Sequence, residues 1–131
     1  MRLLLDTHVW LWSVLEPQRI PRKVQAELDA LANELWLSPI SIWELLVLSD
    51  RGRVVLNEDP ETWVRKALSQ SRIQDAPLTH EVALETRKLG LAHGDPADRF
   101  LVATALVQGL TLVTADQRLV HLKQISVLPA N

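Results

Sequence analysis

Four acidic residues stand at comparable places in this chain, and they are its best material for chemistry. Asp6 ends the apolar run Arg2-Leu-Leu-Leu, and Glu44 comes shortly after the apolar stretch Leu35-Trp-Leu37. Asp98 precedes the run Phe100 to Val107, and Asp116 lies just past Leu110-Thr-Leu-Val113. Singly, each has an ordinary reading. A carboxylate at an N-cap or in a first helical turn satisfies orphan backbone N–H groups and meets the positive end of the helix dipole, worth roughly 0.5–2 kcal/mol. Ser41-x-x-Glu44 likewise matches a reciprocal capping box. Brought together, the four would do something else, because carboxylates within a few ångströms of one another cannot all stay ionised unless a cation or protons neutralise them. There is no cysteine, and His8, His80, His93 and His121 are dispersed without a metal-ligand spacing. The donors would then be hard oxygens, a set that selects Mg²⁺ or Mn²⁺ over Zn²⁺. Such ions favour substrates with phosphate oxygens, so the matching chemistry is hydrolysis of phosphodiesters or phosphate esters by water.

Whether the acids meet depends on the elements that carry them. Arg2 to Asp6 reads as a central parallel strand buried on both faces, and Thr7 can cap a short helix from His8 to Leu15. A second helix opens at Pro21 and runs to about Ala32, with Val24, Leu28 and Leu31 on its apolar face and Arg22, Lys23, Glu27 and Asn33 outside it. Leu35 to Leu37 is the next strand, and the Ser41-x-x-Glu44 box opens a helix to about Ser49, closed by Arg51-Gly52-Arg53. Asp59-Pro60-Glu61 starts another helix through Leu68, and Ile73 to Leu78, broken by Pro77, is a weak strand nearer the sheet edge. Thr79 caps a helix to Leu89, stopped by Gly90. Asp95 at N-cap, Pro96 at N1 and Asp98 at N3 begin an apolar helix that should be buried and that Gly109 stops. Leu110 to Val113 is a strand, Asp116 caps a short helix from Gln117 to Leu122, and Ile125 to Leu128 is the last strand. Strands alternating with helices imply right-handed crossovers and a parallel sheet covered on both faces. Sites in such sheets form beyond the carboxyl ends of the strands, and all four acids belong to that edge.

Composition narrows the rest. The 131 residues suffice for one domain with a real core, and no internal repeat or linker suggests a second. No apolar run approaches the roughly 20 residues of a spanning helix, so no membrane role is expected, and the missing cysteines fit a reducing cytoplasm. A net charge of −2 argues against a broad electrostatic nucleic-acid binder, so any such contact needs a local basic patch, drawn from residues such as Arg19, Arg22, Lys23, Arg51 and Arg53. The five tryptophans, Trp10, Trp12, Trp36, Trp43 and Trp63, offer faces for base stacking, but their apolar spacing favours core or dimer packing.

Four stretches resemble a known family. Leu-Leu-Leu-Asp6-Thr-His, Ser-Pro-Ile-Ser-Ile-Trp-Glu44, His-x-Asp-Pro-x-Asp98-Arg and Leu-Val-Thr-x-Asp116 are similar, in this order, to the PIN domain, and in particular to its bacterial VapC-type toxins. The resemblance covers almost the whole chain. It implies an α/β protein with a three-layer α/β/α fold around a mainly parallel sheet of about five strands, here as one domain over residues 1–131. It further implies a Mg²⁺-dependent endoribonuclease for which Mn²⁺ can substitute, a homodimer, and an antitoxin that plugs the acidic pocket. By position, Asp6, Glu44, Asp98 and Asp116 are the implied catalytic quartet and metal ligands, Asp6 and Asp98 the most direct. Asp95 also matches the pattern but reads first as a cap. Thr7, Ser41 and Thr114 adjoin the acids and are placed to orient ligands or waters, and Arg99 to meet an acid or a phosphate. Position 97 is alanine where relatives usually carry a bulky apolar residue.

Other readings stay open at this point. A phosphatase of the haloacid-dehalogenase kind needs a second Asp two residues after the first, where His8 stands, and a receiver domain needs a Lys at the end of its last strand, whereas Lys123 precedes it. A non-catalytic binding protein with the same fold and pocket is the alternative from another class.

Overall fold

The computed structural model describes residues 1–91 and 95–131. His93, one of the dispersed histidines and part of the third family stretch, lies outside them. Five strands form one sheet: β1 (Arg2–Leu5), β2 (Glu34–Leu37), β3 (Ile73–Asp75), β4 (Thr111–Thr114) and β5 (Val127–Pro129), in the order β3-β2-β1-β4-β5. Every neighbouring pair is parallel. The register sets Leu5 opposite both Leu37 and Val113, so β1, β2 and β4 finish level and the chain leaves all three at one edge. Chain order steps from β1 outward to β2 on one side and returns to β4 on the other. The crevice beyond β1 and β4 is therefore a topological switch point.

Seven α-helices cover both faces among the described residues: α1 (Thr7–Leu15), α2 (Arg22–Asp29), α3 (Pro39–Asp50), α4 (Pro60–Ser69), α5 (His80–Glu85), α6 (Pro96–Gln108) and α7 (Gln117–Val120). None is long and apolar enough to cross a membrane. Strand alternation divides the core in two. Leu3, Leu5 and Val113 pack with Val9, Trp10, Val24 and Trp63 on one side, while Leu4 and Leu112 pack with Val82, Leu101, Val102 and Leu119 on the other. Trp10 and Trp63 meet edge to face at 5.8 Å, so these two tryptophans are core. The expected three-layer α/β/α architecture is the observed one, with β3 at the edge where Pro77 put it.

Several local details depart from expectation. Asp6, not Thr7, is the N-cap of α1, its carboxylate accepting from Val9 N at 3.0 Å. In α2, Pro21 is the N-cap and the helix ends at Asp29, three residues early. Arg72, just before β3, which pairs with β2, donates to the carbonyls of Leu28, Ala30 and Asn33 at 2.6–3.0 Å and so takes the acceptors a longer helix would use. Leu31 is thereby expelled, 87% exposed, while Asn33 is buried, accepting from the N-terminal amine at 2.7 Å and donating to Glu27 O at 2.9 Å. The helix after Thr79 stops at Glu85 and continues as a 3₁₀ turn, Thr86–Lys88. Asp95 caps α6 as expected, and Gly109 ends it at φ 65°, a left-handed conformation that favours glycine. The centre of α6, Leu101 to Ala105, is buried, whereas Leu106 and Val107 are about 40% exposed.

Candidate active site

A cavity of about 310 Å³ opens at the carboxyl edge of β1 and β4, and all four acids line it: Asp6, Glu44, Asp98 and Asp116, with Asp95 beside them. Each arrives by a different local route. Asp6 is the residue after β1 and stays 7% exposed. One of its oxygens caps α1 and the other accepts from the Thr114 hydroxyl at the end of β4. Thr114 Oγ1 in turn accepts from Asp116 N at 3.1 Å, which ties the two strand ends together. Burial raises the Asp6 carboxyl above its ordinary range, opposed by the Thr114 and Val9 hydrogen bonds and reinforced by Asp116.

Glu44 departs from the capping-box reading. Ser38 is the N-cap of α3, accepting from Ile40 N at 3.1 Å, so Ser41 falls inside the first turn and Glu44 one turn further in. The released Glu44 carboxylate accepts a hydrogen bond from Thr7, whose hydroxyl also lies 2.9 Å from Ser41 Oγ. With one hydroxyl proton available, Thr7 donates to ionised Glu44 and Ser41 donates to Thr7. Burial raises the Glu44 carboxyl, Thr7 opposes that, and the charges of Asp95 and Asp98 raise it further. Glu44 thus shares a field with the α6 acids, the electrostatic mark of convergence rather than of isolated caps.

Asp98, in the first turn of α6, and Asp116, the N-cap of α7, are bridged by Arg118. Its Nη2 lies 2.7 Å from Asp116 Oδ2 and 3.3 Å from Asp98 Oδ2, and its Nε lies 3.1 Å from Asp116 Oδ1. The guanidinium therefore stands as a cation between two of the four acids at the cavity mouth, with its side chain 54% exposed. Among the described residues no group of three or more His, Asp or Glu side chains is already drawn together to hold a metal ion. Thr114 and Thr7 each hold one carboxylate by a hydrogen bond, and Arg118 holds two. The donor set nonetheless fits a hard divalent cation, since it is all oxygen, mutually repelling, and neutralised at one point by a cationic side chain.

Other expected site residues sort by distance from the cavity. Thr7 lines it, while Ser41 and Thr114 act one step back through Thr7 and Asp6. Asp95 lines it while capping α6 through Ala97 N at 3.0 Å. Arg99 is not among the lining residues; its guanidinium donates to Leu91 O at 3.4 Å. Five lining residues went unassigned from sequence: His8, Trp12, Leu101, Ala115 and Arg118. Only Arg118 carried a local signal, a cation two residues past a helix-capping acid.

Against known proteins, the PIN domain family profile matches residues 3–125. The chain is 35% identical over 118 residues to Ribonuclease VapC22 of Mycobacterium tuberculosis, covering 89% of this chain and 88% of that protein. Its fold is similar to a VapBC2 crystal structure from Rickettsia felis bound to a promoter DNA fragment, with TM-score 0.75, 17% identity and all of both chains covered. It is also similar to a toxin-antitoxin complex from Klebsiella pneumoniae, with TM-score 0.68, 19% identity and 98% of each chain covered.

Proposed function

The chain belongs to the PIN domain family, and from that premise we propose that it is a Mg²⁺-dependent endoribonuclease, the toxin of a toxin–antitoxin pair. The observation that carries this reading is the single cavity lined by Asp6, Glu44, Asp98 and Asp116 at the switch point of the sheet. Its relative's name, Ribonuclease VapC22, supports RNA as the substrate, and the toxin-antitoxin complex of the same fold supports an antitoxin partner. Residues 1–131 act as one domain in the cytoplasm, and Trp43, 56% exposed on α3, is available for pairing two copies into a homodimer.

Asp6, Asp98, Glu44 and Asp116 are the residues that hold the ion, Mg²⁺ or in its place Mn²⁺. When bound, the ion supplies charge neutralisation at the phosphodiester and a nucleophilic water near neutral pH. The chain's own groups do the remaining work. Thr114 and Thr7 fix the rotamers of Asp6 and Glu44, the role of groups one step behind a ligand. Arg118, which bridges Asp98 and Asp116 at the cavity, would compete with the ion for them and offers a fork that suits a phosphate oxygen.

The test is cleavage of an RNA panel with Mg²⁺ or Mn²⁺, with and without EDTA, by the wild type, Asp6→Asn and Asp98→Asn. Cleavage should disappear with chelator and fall at least about 100-fold in each variant. Activity indifferent to chelator and to both substitutions would refute the mechanism. Expression alone should arrest growth, and co-expression of the cognate antitoxin should relieve it.

A further inference from the structure

We propose that a second cleft, adjoining the acid cavity, binds the nucleotide next to the scissile phosphate, with Arg19 and Arg53 as its phosphate and base contacts. The inference rests on the ribonuclease reading above and deepens it. The cleft measures about 510 Å³ and runs between the end of α1 and the chain after α3. It shares His8 and Trp12 with the acid cavity, so the two adjoin at those side chains. A larger space of about 690 Å³ beside Trp10 shares no lining residue with the acids and has no such connection.

Three physical features suit this cleft to a single-stranded nucleotide. The first is charge. The acid cavity is lined by five carboxylates, and a polyphosphate backbone leaving it needs cations close by. Arg19 and Arg53, both exposed, line the second cleft, against one carboxylate there, Glu16. The second is a prepared stacking surface. The Arg19 guanidinium lies 4.5 Å from the Trp12 ring centroid and 3.8 Å from Glu16, so its plane is held rather than waving in solvent. Bases stack on arginine planes and aromatic rings alike, without regard to sequence. The third is exposed apolar surface that packing within the chain does not use. Val55 is 87% and Leu15 42% exposed at the rim, with Leu48 and Val54 behind them. A base has the flat apolar area to cover them. Of the five scattered cations weighed from the sequence, this geometry gathers two beside the aromatic that adjoins the acids.

The experiment measures anisotropy of fluorescein-labelled single-stranded RNA of mixed sequence, with Ca²⁺ in place of Mg²⁺, and in parallel KM for cleavage in Mn²⁺. Arg19→Gln and Arg53→Gln are compared with wild type and with Arg65→Gln, which removes an exposed charge on α4. Both cleft side chains are exposed, so neither change threatens folding. Each should weaken RNA binding at least about fivefold and raise KM. Each should also flatten the slope of log affinity against log salt by about 0.7, one phosphate contact on a single strand. Arg65→Gln should match the wild type. Unchanged affinity and slope, in an enzyme that still cleaves RNA, would overturn the cleft assignment and leave the nuclease reading standing. A wild type that neither binds nor cuts RNA would overturn both. Variants that bind RNA normally but lose the antitoxin would overturn the assignment in favour of a protein-docking face.

Discussion

Replacing Asp6 by Asn separates what the carboxylate does for the fold from what its charge does for a metal. The side chain is 7% exposed, caps α1 through Val9 N and accepts from Thr114. Asn is as good an N-cap as Asp, and its amide can donate to Thr114 Oγ1 once that hydroxyl turns, so the geometry survives. What disappears is a buried charge. Because burial raises the folded-state pKa of Asp6 above its unfolded value, the native state binds the proton more tightly. Its ionisation therefore costs stability at neutral pH, and that cost vanishes as pH falls through the raised pKa towards 3.8. In chelator at pH 7 the Asn variant should melt no lower than wild type, and the comparison should shift in favour of wild type as pH falls. Asp6→Ala, which also loses the cap, should be less stable than Asp6→Asn by about 1 kcal/mol or more. For 131 residues at about 2.1 cal/mol/K each, the unfolding entropy is about 0.28 kcal/mol/K, so 1 kcal/mol corresponds to about 3.6 °C. Adding Mn²⁺ should reverse the order. At a concentration about 100 times its Kd the ion contributes about 2.7 kcal/mol, or about 10 °C, to wild type and far less to the variant. Calorimetry with EDTA and then Mn²⁺ reads all of this. An Asn variant that melts as low as Asp6→Ala in EDTA at every pH, or that gains as much from Mn²⁺ as wild type, would refute the reasoning.

Two further outcomes follow from the same geometry. Arg118→Gln removes the cation bridging Asp98 and Asp116 and should bind Mn²⁺ several-fold more tightly by titration calorimetry; unchanged affinity would mean that the guanidinium does not compete with the ion. Leu4→Ala, at a fully buried position in the central strand, should cost about 2–5 kcal/mol, or about 7–18 °C in melting temperature; a loss under about 1 kcal/mol would mean the core beneath α6 is loosely packed.

Much of the framework was legible in the chain because it rests on contacts a few residues apart. Asp59, Asp95 and Asp116 cap helices as their positions suggest, since an N-cap bond spans only two or three residues. Strands alternating with helices were enough to imply a parallel sheet with its acids at one edge, and the four stretches of family resemblance ordered those acids. Some errors fell where a distant group outbid a local one, and others where an earlier residue took the cap. Arg72 holds the carbonyls at the end of α2 beside exposed Leu31, while Ser38 rather than Ser41 caps α3 and leaves Glu44 to Thr7.

What the sequence determined by itself, then, was the set of acids and the elements that carry them, because periodicity and capping are near-neighbour physics. Only the tertiary structure decided that those acids are held by Thr7, Thr114 and Arg118, and that Trp12, Arg19 and Arg53 border the same cleft. Those contacts join residues up to 108 positions apart, and such distances are set by sheet register and helix packing, which no local pattern encodes.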